Sequence, residues 1–533
     1  MRFFTFFLTV ALAFSGITAS AQNRSEDVLK NVERFGRFLI YLNGNYVDSV
    51  NADALTNAAI KEILEGLDPH SVFIPKEEVQ ETNEPLKGSF EGVGIEFAVI
   101  SDTLCVQNVV IGGPSEAVGL MAGDKIVAVD GENIAGVNIS TEGVRNRLRG
   151  PRGTKVELIV RRHGVSEPMD FTIVRDKIPL NSIDAAYCPE PGVLYVKLSR
   201  FAQNSIFEFI NALKTLGAMP KGMIIDLRGN GGGYMQVSLM LADLFLEKGQ
   251  TILFTEGLHS PVRYENASGS GFFKTGPLVV LVDEESASAS EIFAGAMQDW
   301  DRGVIIGRRT FGKGLVQQQF PLTDGSQIRL TVSRYHTPSG RVIQTPYENG
   351  HRTEYYDKLN DRYRHGELFS KDSIQFPDSL KYTTRKLGRT VYGGGGIMPD
   401  IFSPSDTTGV NGYFSAVIRK GYLTEYANQF IDGHRSDIVV KDRSFEDFYK
   451  AYDDFGKDAL SGLVEYCRSK GLEPSEEQIR ECGKLLATRL KALVARAAFN
   501  TTGYYRVINM EEDPAFEKAL EVISSWNGPF PSL

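Results

Sequence analysis

Apolar residues along this chain change their period several times, and each change predicts a different kind of structure. From 25 to 66 they recur at helical spacing, as in Val28, Val32, Phe35, Phe38, Leu39 and Leu42. A second helical pattern runs from Ala52 to Leu67 and stops before Asp68-Pro69. Between 88 and 177 the pattern shortens to β-like runs separated by Gly and Pro turns, starting at Val93, Leu104, Lys125 and Lys155. Two short helical stretches, Ser115 to Leu120 and Ser140 to Leu148, sit among them, which predicts a small β-barrel with two helices. From 180 to 345 strand-like and helical runs alternate: a strand from Val193, a helix from Ser205 to Leu216, a strand from Gly222, a helix from Met235 to Leu246, then an apolar run from Pro277 to Asp283 and an amphipathic stretch from Ser288 to Trp300. That alternation predicts an α/β core. Residues 345 to 389 are polar and rich in Tyr, Asp, Lys and Arg, and read as an insertion or long loop before the last core strand. After Ser403-Pro-Ser-Asp406 the pattern turns helical with long charged faces, from 412 to 525, which predicts a separate helical domain.

Composition adds bounds. At 533 residues, and about 150 residues per domain, the chain holds three or four domains. A formal net charge of −9 does not suggest nonspecific nucleic-acid binding. Met1-Arg2 and the apolar run to Phe14 precede the small-x-small site Ala19-Ser20-Ala21, the pattern of a secretory signal peptide over 1–21 with mature protein from about Gln22. The alternative is an uncleaved anchor, for which the run is short against a span of about 20 residues. Export places the protein in the periplasm or outside the cell, where Cys105, Cys188, Cys467 and Cys482 can pair. Cys467 and Cys482 share one helical region and are the first candidates; four buried free thiols are the alternative. There is no C-x-x-C or H-E-x-x-H, and the seven histidines are scattered, so neither a metal site nor another cofactor is expected.

The chemistry concentrates in Ser286-Ala-Ser-Ala-Ser-Glu-Ile292 and Thr310-Phe-Gly-Lys-Gly-Leu-Val-Gln317. Ser288 falls between a strand-like run and a helix, beside outward-pointing backbone N–H groups that favour negative charge. Lys313 follows 25 residues later between two glycines. A serine hydroxyl needs a base to become a nucleophile, and a neutral lysine can serve. That requires the lysine pKa to fall by about 3 from its ordinary ~10.4, about 4 kcal/mol, which burial beside Phe311, Leu315 and Val316 can supply. Three serines compete: Ser286, Ser288 and Ser290.

These two motifs resemble those of the C-terminal processing peptidases (tail-specific proteases), Ser-Lys serine endopeptidases. Five further segments match that family in order: Leu67-Asp-Pro-His-Ser71, Gly88-Ser-Phe-Glu-Gly-Val-Gly-Ile95, Asp226-Leu-Arg-Gly-Asn-Gly-Gly-Gly233, Tyr335 to Gln344 and Tyr392 to Asp400. The resemblance covers roughly 30 to 405 and implies a multidomain α+β and α/β fold: an N-terminal helical segment (22–85), a PDZ domain (86–178), a protease core (179–405, with an insertion at about 346–388) and a C-terminal helical domain (406–533). It selects Ser288 as nucleophile and Gln317 as third member of a Ser-Lys-Gln triad; a buried structural glutamine is the alternative. It also implies an oxyanion hole from the N–H of Ala289 and of Gly232, with Gly231 not excluded, and a supporting acid at Asp299, for which an ion pair with Arg302 is the alternative. Gly92-Val93-Gly94-Ile95 is similar to the loop by which PDZ domains hold a peptide C-terminus.

The expected function is therefore a serine-type endopeptidase that acts on exported proteins near their C-termini. Its partners would be protein or peptide tails and, through the N- or C-terminal helical segments, a second copy of the chain. Two other readings compete: a catalytically silent PDZ protein that only binds tails, and an acyl hydrolase of small esters. The Gly229-Asn-Gly-Gly-Gly run lacks the Gly-Lys-Ser/Thr ending of a phosphate loop.

Overall fold

Every residue of Leu278–Val282 is apolar because both faces of its strand are covered. In the computed structural model, which describes residues 26–531 apart from 101, 111, 163, 216 and 218, this strand lies inside a six-stranded sheet. The expected signal peptide lies outside the described residues. The sheet order is Ile183–Glu190, Val193–Leu198, Gly222–Asp226, Leu278–Val282, Val304–Gly307 and Ile401–Phe402. Its first pair is antiparallel and the rest are parallel. Leu278, Val280 and Val282 face helices Ser205–Thr215, Met235–Asp243 and Ala289–Asp299, through Phe209, Leu239 and Phe293. Val279 and Leu281 face the last helix, Pro514–Ser524, through Phe516, Ala519 and Ile523. That helix falls in the region expected to form a separate domain. It instead covers the second face of the core sheet, because period alone does not say which neighbour an amphipathic helix buries.

An antiparallel sheet flanks this core. It joins Val72–Ile74, Gln327–His336, Thr251–Gly257 and Ser260–Asn266, with Leu315–Pro321 also pairing Gln327–His336. The pairing of Val72 with Arg329 ties the N-terminal segment to the core. The expected β-barrel-like domain is a sheet ordered Ile95–Ile100, Thr103–Val109, Lys125–Val129, Lys155–Arg161 and Met169–Val174, with helices Pro114–Ala117 and Thr141–Leu148. The fifth strand was not among the four apolar runs. Its buried positions are only Phe171 and Ile173. Ile95–Ile100 is left at the edge of the sheet. Ser89–Gly92 pairs with Asp176–Pro179 to form the neck to the core.

The polar stretch expected as a loop contains a helix, Arg352–Arg364. Only Tyr355 and Arg362 of it are buried, so no apolar stripe announces it. Arg362 holds it down by donating to the carbonyls of Thr310 (2.9 Å) and Arg309 (2.6 Å). Beyond the core, helices from Gly412–Arg419 to Glu476–Glu511 form their own apolar cluster. The long Glu476–Glu511 helix breaks at Phe499 and Asn500, where φ and ψ leave the helical region. Cys467 and Cys482 do not pair. Both are buried in this cluster as small apolar residues, and all four cysteines are free thiols. The helix over 26–45 leaves Val28, Leu29, Val32 and Phe38 exposed. Among the described residues no helix is long and apolar enough to cross a membrane.

Candidate active site

Ser288 sits where the strand Leu278–Val282 turns into the helix Ala289–Asp299, with φ 54° and ψ −111°. A left-handed φ on a non-glycine residue costs about 1–3 kcal/mol and persists only where the surroundings enforce it. Here Glu291 enforces it. Its buried carboxylate accepts the N–H of Ser288 (2.8 Å), the N–H of Lys313 (2.8 Å), the N–H of Gly312 (2.7 Å) and the Thr310 hydroxyl (2.5 Å). One oxygen of Glu291 thus holds both Ser288 and Lys313 by their backbones. Burial pushes the Glu291 pKa up to about 7, against these hydrogen bonds, which favour the charged form. The Tyr335 hydroxyl adds a second clamp by donating to the carbonyl of Lys313 at 2.8 Å.

The three serines separate by environment. Ser286 donates to the carbonyl of Leu227 and Ser290 to that of Asn230, each at 2.8 Å, and both are fully buried. Ser288 lines a cleft of about 610 Å³ together with Lys313, Gln317, Gly232, Arg329 and Tyr335. A second cleft, about 590 Å³, shares Lys313 and Gly231 with the first and is walled by Tyr356, Leu359 and Tyr363 of the Arg352–Arg364 helix. Lys313 therefore stands between two recesses, and Ser288 opens into the first.

The Lys313 ammonium donates to Oε1 of Gln317 at 2.9 Å. The amide of Gln317 in turn donates to the carbonyl of His70. Burial, helped by the nearby Arg329 charge, lowers the Lys313 pKa to about 8, while Asp68 and Glu291 oppose the change. The Leu67-to-Ser71 motif thus acts here through the backbone of His70. Asp68 fixes that turn by accepting the N–H of His70 (2.9 Å), the N–H of Ser71 (3.0 Å) and the Thr331 hydroxyl (2.9 Å). The His70 ring stays neutral, its pKa lowered to about 4 by burial and by Lys313.

The glycine loop reaches the same place. Gly232 has φ +101°, and a Cβ there would lie 2.9 Å from Cβ of Ser288 and 3.0 Å from N of Ala289, so only glycine fits. Its N–H is directed at Oδ1 of Asn230, 2.9 Å away. Ala289 occupies the first helical position, where a backbone N–H has no partner within the helix. Asp299 lies elsewhere. It is fully buried at the far end of the helix, where it accepts from Arg341 (2.7 Å) and from the N–H of Ser339 (2.8 Å). Eleven residues of helix rise about 16 Å, too far for contact with Ser288. Nor does it pair with Arg302, whose guanidinium donates to the carbonyls of Phe245, Phe273 and Gly276.

Glu291 went unread in the sequence, although Ser288-x-x-Glu291 has the spacing of a helix capping box. The supporting roles of Asp68, His70 and Tyr335 could not be read at all, because their partners lie far away in the chain.

In the small β-domain, Val93, Gly94 and Ile95 line a groove of about 410 Å³ between the edge strand and helix Thr141–Leu148. Gly92 is not part of it and pairs with Asp176 in the neck. Arg496 of the C-terminal helices reaches the groove and pairs with Glu96.

Comparison with known proteins agrees with this architecture. Residues 192–349 match peptidase family S41, 106–162 match a PDZ domain, and 413–500 match a family of unknown function. A carboxy-terminal-processing protease of Bartonella bacilliformis is 35% identical over 327 residues, 60% of this chain and 74% of that protein. The carboxy-terminal processing protease CtpB of Bacillus subtilis is 30% identical over 368 residues, 67% of this chain and 74% of its own. Among solved structures, a photosystem II D1 C-terminal processing protease is 31% identical, covering 58% of this chain and 83% of its own, at a TM-score of 0.33.

Proposed function

This chain belongs to the carboxy-terminal processing proteases, serine peptidases of family S41 that carry a PDZ domain, and we propose that it cuts by a Ser288-Lys313 dyad supported by Gln317. The observation that carries this reading is the state of Lys313. Its amine is part-buried, its pKa is brought to about 8, and it is tethered to Gln317 in the cleft that Ser288 lines. At pH 7 roughly a tenth of such lysines are neutral, against well under a thousandth for an ordinary one. In the neutral form the nitrogen donates to Gln317 and keeps its lone pair for the Ser288 proton. Ser288 Oγ attacks the scissile carbonyl as its proton passes to Lys313. The resulting ammonium protonates the departing amine, and water then releases the acyl group from Ser288 with Lys313 again as base. The N–H groups of Ala289 and Gly232 are the proposed oxyanion donors. Gly232 can serve only after letting go of Asn230, so substrate binding has to rearrange the glycine loop.

Substrate choice falls to the PDZ groove. A tail would add as a strand beside Ile95–Ile100, which is an unpaired edge, with its last side chain against Val93 and Ile95. The substrates are proposed to be exported proteins, cut near their C-termini in the periplasm or outside the cell; the N-terminal segment that suggests export is that of residues 1–21. Self-association is proposed through the N-terminal helix, whose Val28, Val32 and Phe38 form an exposed apolar face.

The test is to incubate the mature protein with peptides varied at the C-terminus and read the products by mass spectrometry. Ser288→Ala should yield none, while Ser286→Ala and Ser290→Ala should still cut. Cleavage by the Ser288 variant would end the dyad reading, and no cleavage by the parent would favour a tail-binding protein.

A further inference from the structure

The glycine loop is anchored from behind by a residue of the C-terminal region. Arg228, one residue before Gly229, grips two carboxylates at once. It donates Nε to Asp226 Oδ1 (3.0 Å) and Nη2 to Asp226 Oδ2 (2.6 Å). It also donates Nη1 to Asp513 Oδ1 (2.9 Å) and Nη2 to Asp513 Oδ2 (2.6 Å). Asp226 is fully buried and already has Lys197 at 3.2 Å and the Tyr195 hydroxyl at 2.8 Å. Burial works against its charge, but Arg228 and Lys197 override burial and hold the carboxyl well below the ordinary range. Without Asp513 this cluster would hold two cations, Lys197 and Arg228, against a single anion. With Asp513, whose side chain is 7% exposed, the charges balance.

Asp513 is itself fixed. It caps the helix Pro514–Ser524 by accepting the N–H of Phe516 at 3.0 Å. That helix packs on the core sheet, with the Phe516 ring edge-on to Tyr195. One turn earlier, Asn509 donates to the Tyr187 hydroxyl at 2.9 Å. In front of Arg228, Gly229 donates to Asp283 (2.9 Å), and the loop continues to Gly232, which abuts Ser288. Residue 513 lies outside both the peptidase match and the match to the family of unknown function.

We infer that Asp513 is a positioning residue for the protease reaction: through Arg228 it sets the glycine loop that faces Ser288. The C-terminal region is then part of the catalytic framework rather than an appended module. The inference rests on the reading above, in which this loop supplies an oxyanion donor. A single ion pair that neutralises a buried cluster is costly to break from one side, because the remaining partner keeps an uncompensated charge.

The test uses the full mature chain with Asp513→Asn, which keeps a capping side chain and removes the charge. Four quantities are read. They are kcat per active site, counted by titration with a serine-reactive fluorophosphonate, KM for a cleaved peptide, the Kd of a labelled, uncleaved tail peptide, and the pH midpoint of kcat/KM. The expected result is a fall in kcat per site of about 10- to 100-fold, with KM, tail Kd and the pH midpoint set by Lys313 within about twofold of the parent. A role confined to holding the fold together would lower the number of titratable sites and leave kcat per site unchanged, and that result overturns the inference. If D513N does not fold, D513S, which also keeps a capping oxygen, is read in the same way. Ser288→Ala is run beside them: activity in that variant defeats the dyad, whereas an inactive Ser288 variant with parental kcat per site in D513N defeats only the role of Asp513.

Discussion

The PDZ groove and the catalytic cleft are both recesses of this chain, but they are built on opposite principles. The groove is lined by an unpaired edge strand and apolar side chains, and its charged neighbours, Glu96 and Arg496, are part-exposed. A tail added to such an edge as a further strand would be held by backbone hydrogen bonds that many sequences can make. The cleft instead surrounds Lys313 and Glu291 with low-dielectric protein and ties Glu291 and Gln317 to fixed partners. Burial is what brings the Lys313 pKa down to about 8, and Gln317 keeps its amine in place. Binding sites of the first kind tolerate single changes, whereas sites of the second kind fail when one atom changes.

Four variants probe that contrast. Lys313→Arg should be the most severe, a loss on the order of 10³-fold or more in kcat/KM, because guanidinium stays charged and cannot take the serine proton. In the parent, activity should rise with pH as Lys313 loses its proton, with a midpoint near 8 in kcat/KM profiles. A profile falling over pH 7 to 9 would contradict a lysine base.

Glu291→Gln should come next, at about 100-fold in kcat. Its amide N–H₂ would face donors where a carboxylate accepts, leaving a buried mismatch of about 1–3 kcal/mol. The Glu291 charge raises the Lys313 pKa, so the pH midpoint should also move below 8. An unmoved midpoint would mean that Glu291 acts only through the backbone.

Gln317→Ala should cost about 10-fold in kcat, since Lys313 loses its acceptor and the His70 carbonyl its donor. Smallest in kcat is Ile95→Asp in the groove. Losing an apolar contact of about 1.4 kcal/mol should weaken tail binding about 10-fold, read by fluorescence anisotropy, with kcat at saturating peptide kept within about twofold. A large fall in kcat there would show that the two recesses are coupled rather than independent.

Much of this was legible because it is local. The elbow at Ser288 follows from an apolar strand run into a helix, and the barrel-like and helical regions follow from period. Gln317 was named from the family resemblance, and the structure brings it into hydrogen-bond contact with Lys313 although Lys313 precedes the strand that carries Gln317. Asp299 shows the limit of such reasoning. A similar face of one helix does not mean the same site when three turns intervene, and its partner, Arg341, comes from a distant loop.

By itself, then, the sequence determined most of the strand and helix segments and narrowed the chemistry to three neighbouring serines and one lysine, because neighbours in the chain set backbone conformation and amphipathic pattern. Only the tertiary structure decided what surrounds them. The carboxylate of Glu291 joins two motifs 25 residues apart. The His70 carbonyl holds Gln317 across 247 residues, and Asp513 grips Arg228 across 285. The polar Arg352–Arg364 segment becomes a helix because Arg362 and Tyr355 find partners in the core, and the final helix leaves its own domain to cover the core sheet. Each of these depends on burial and charge balance among residues that chain order keeps apart, and those are properties of the folded molecule alone.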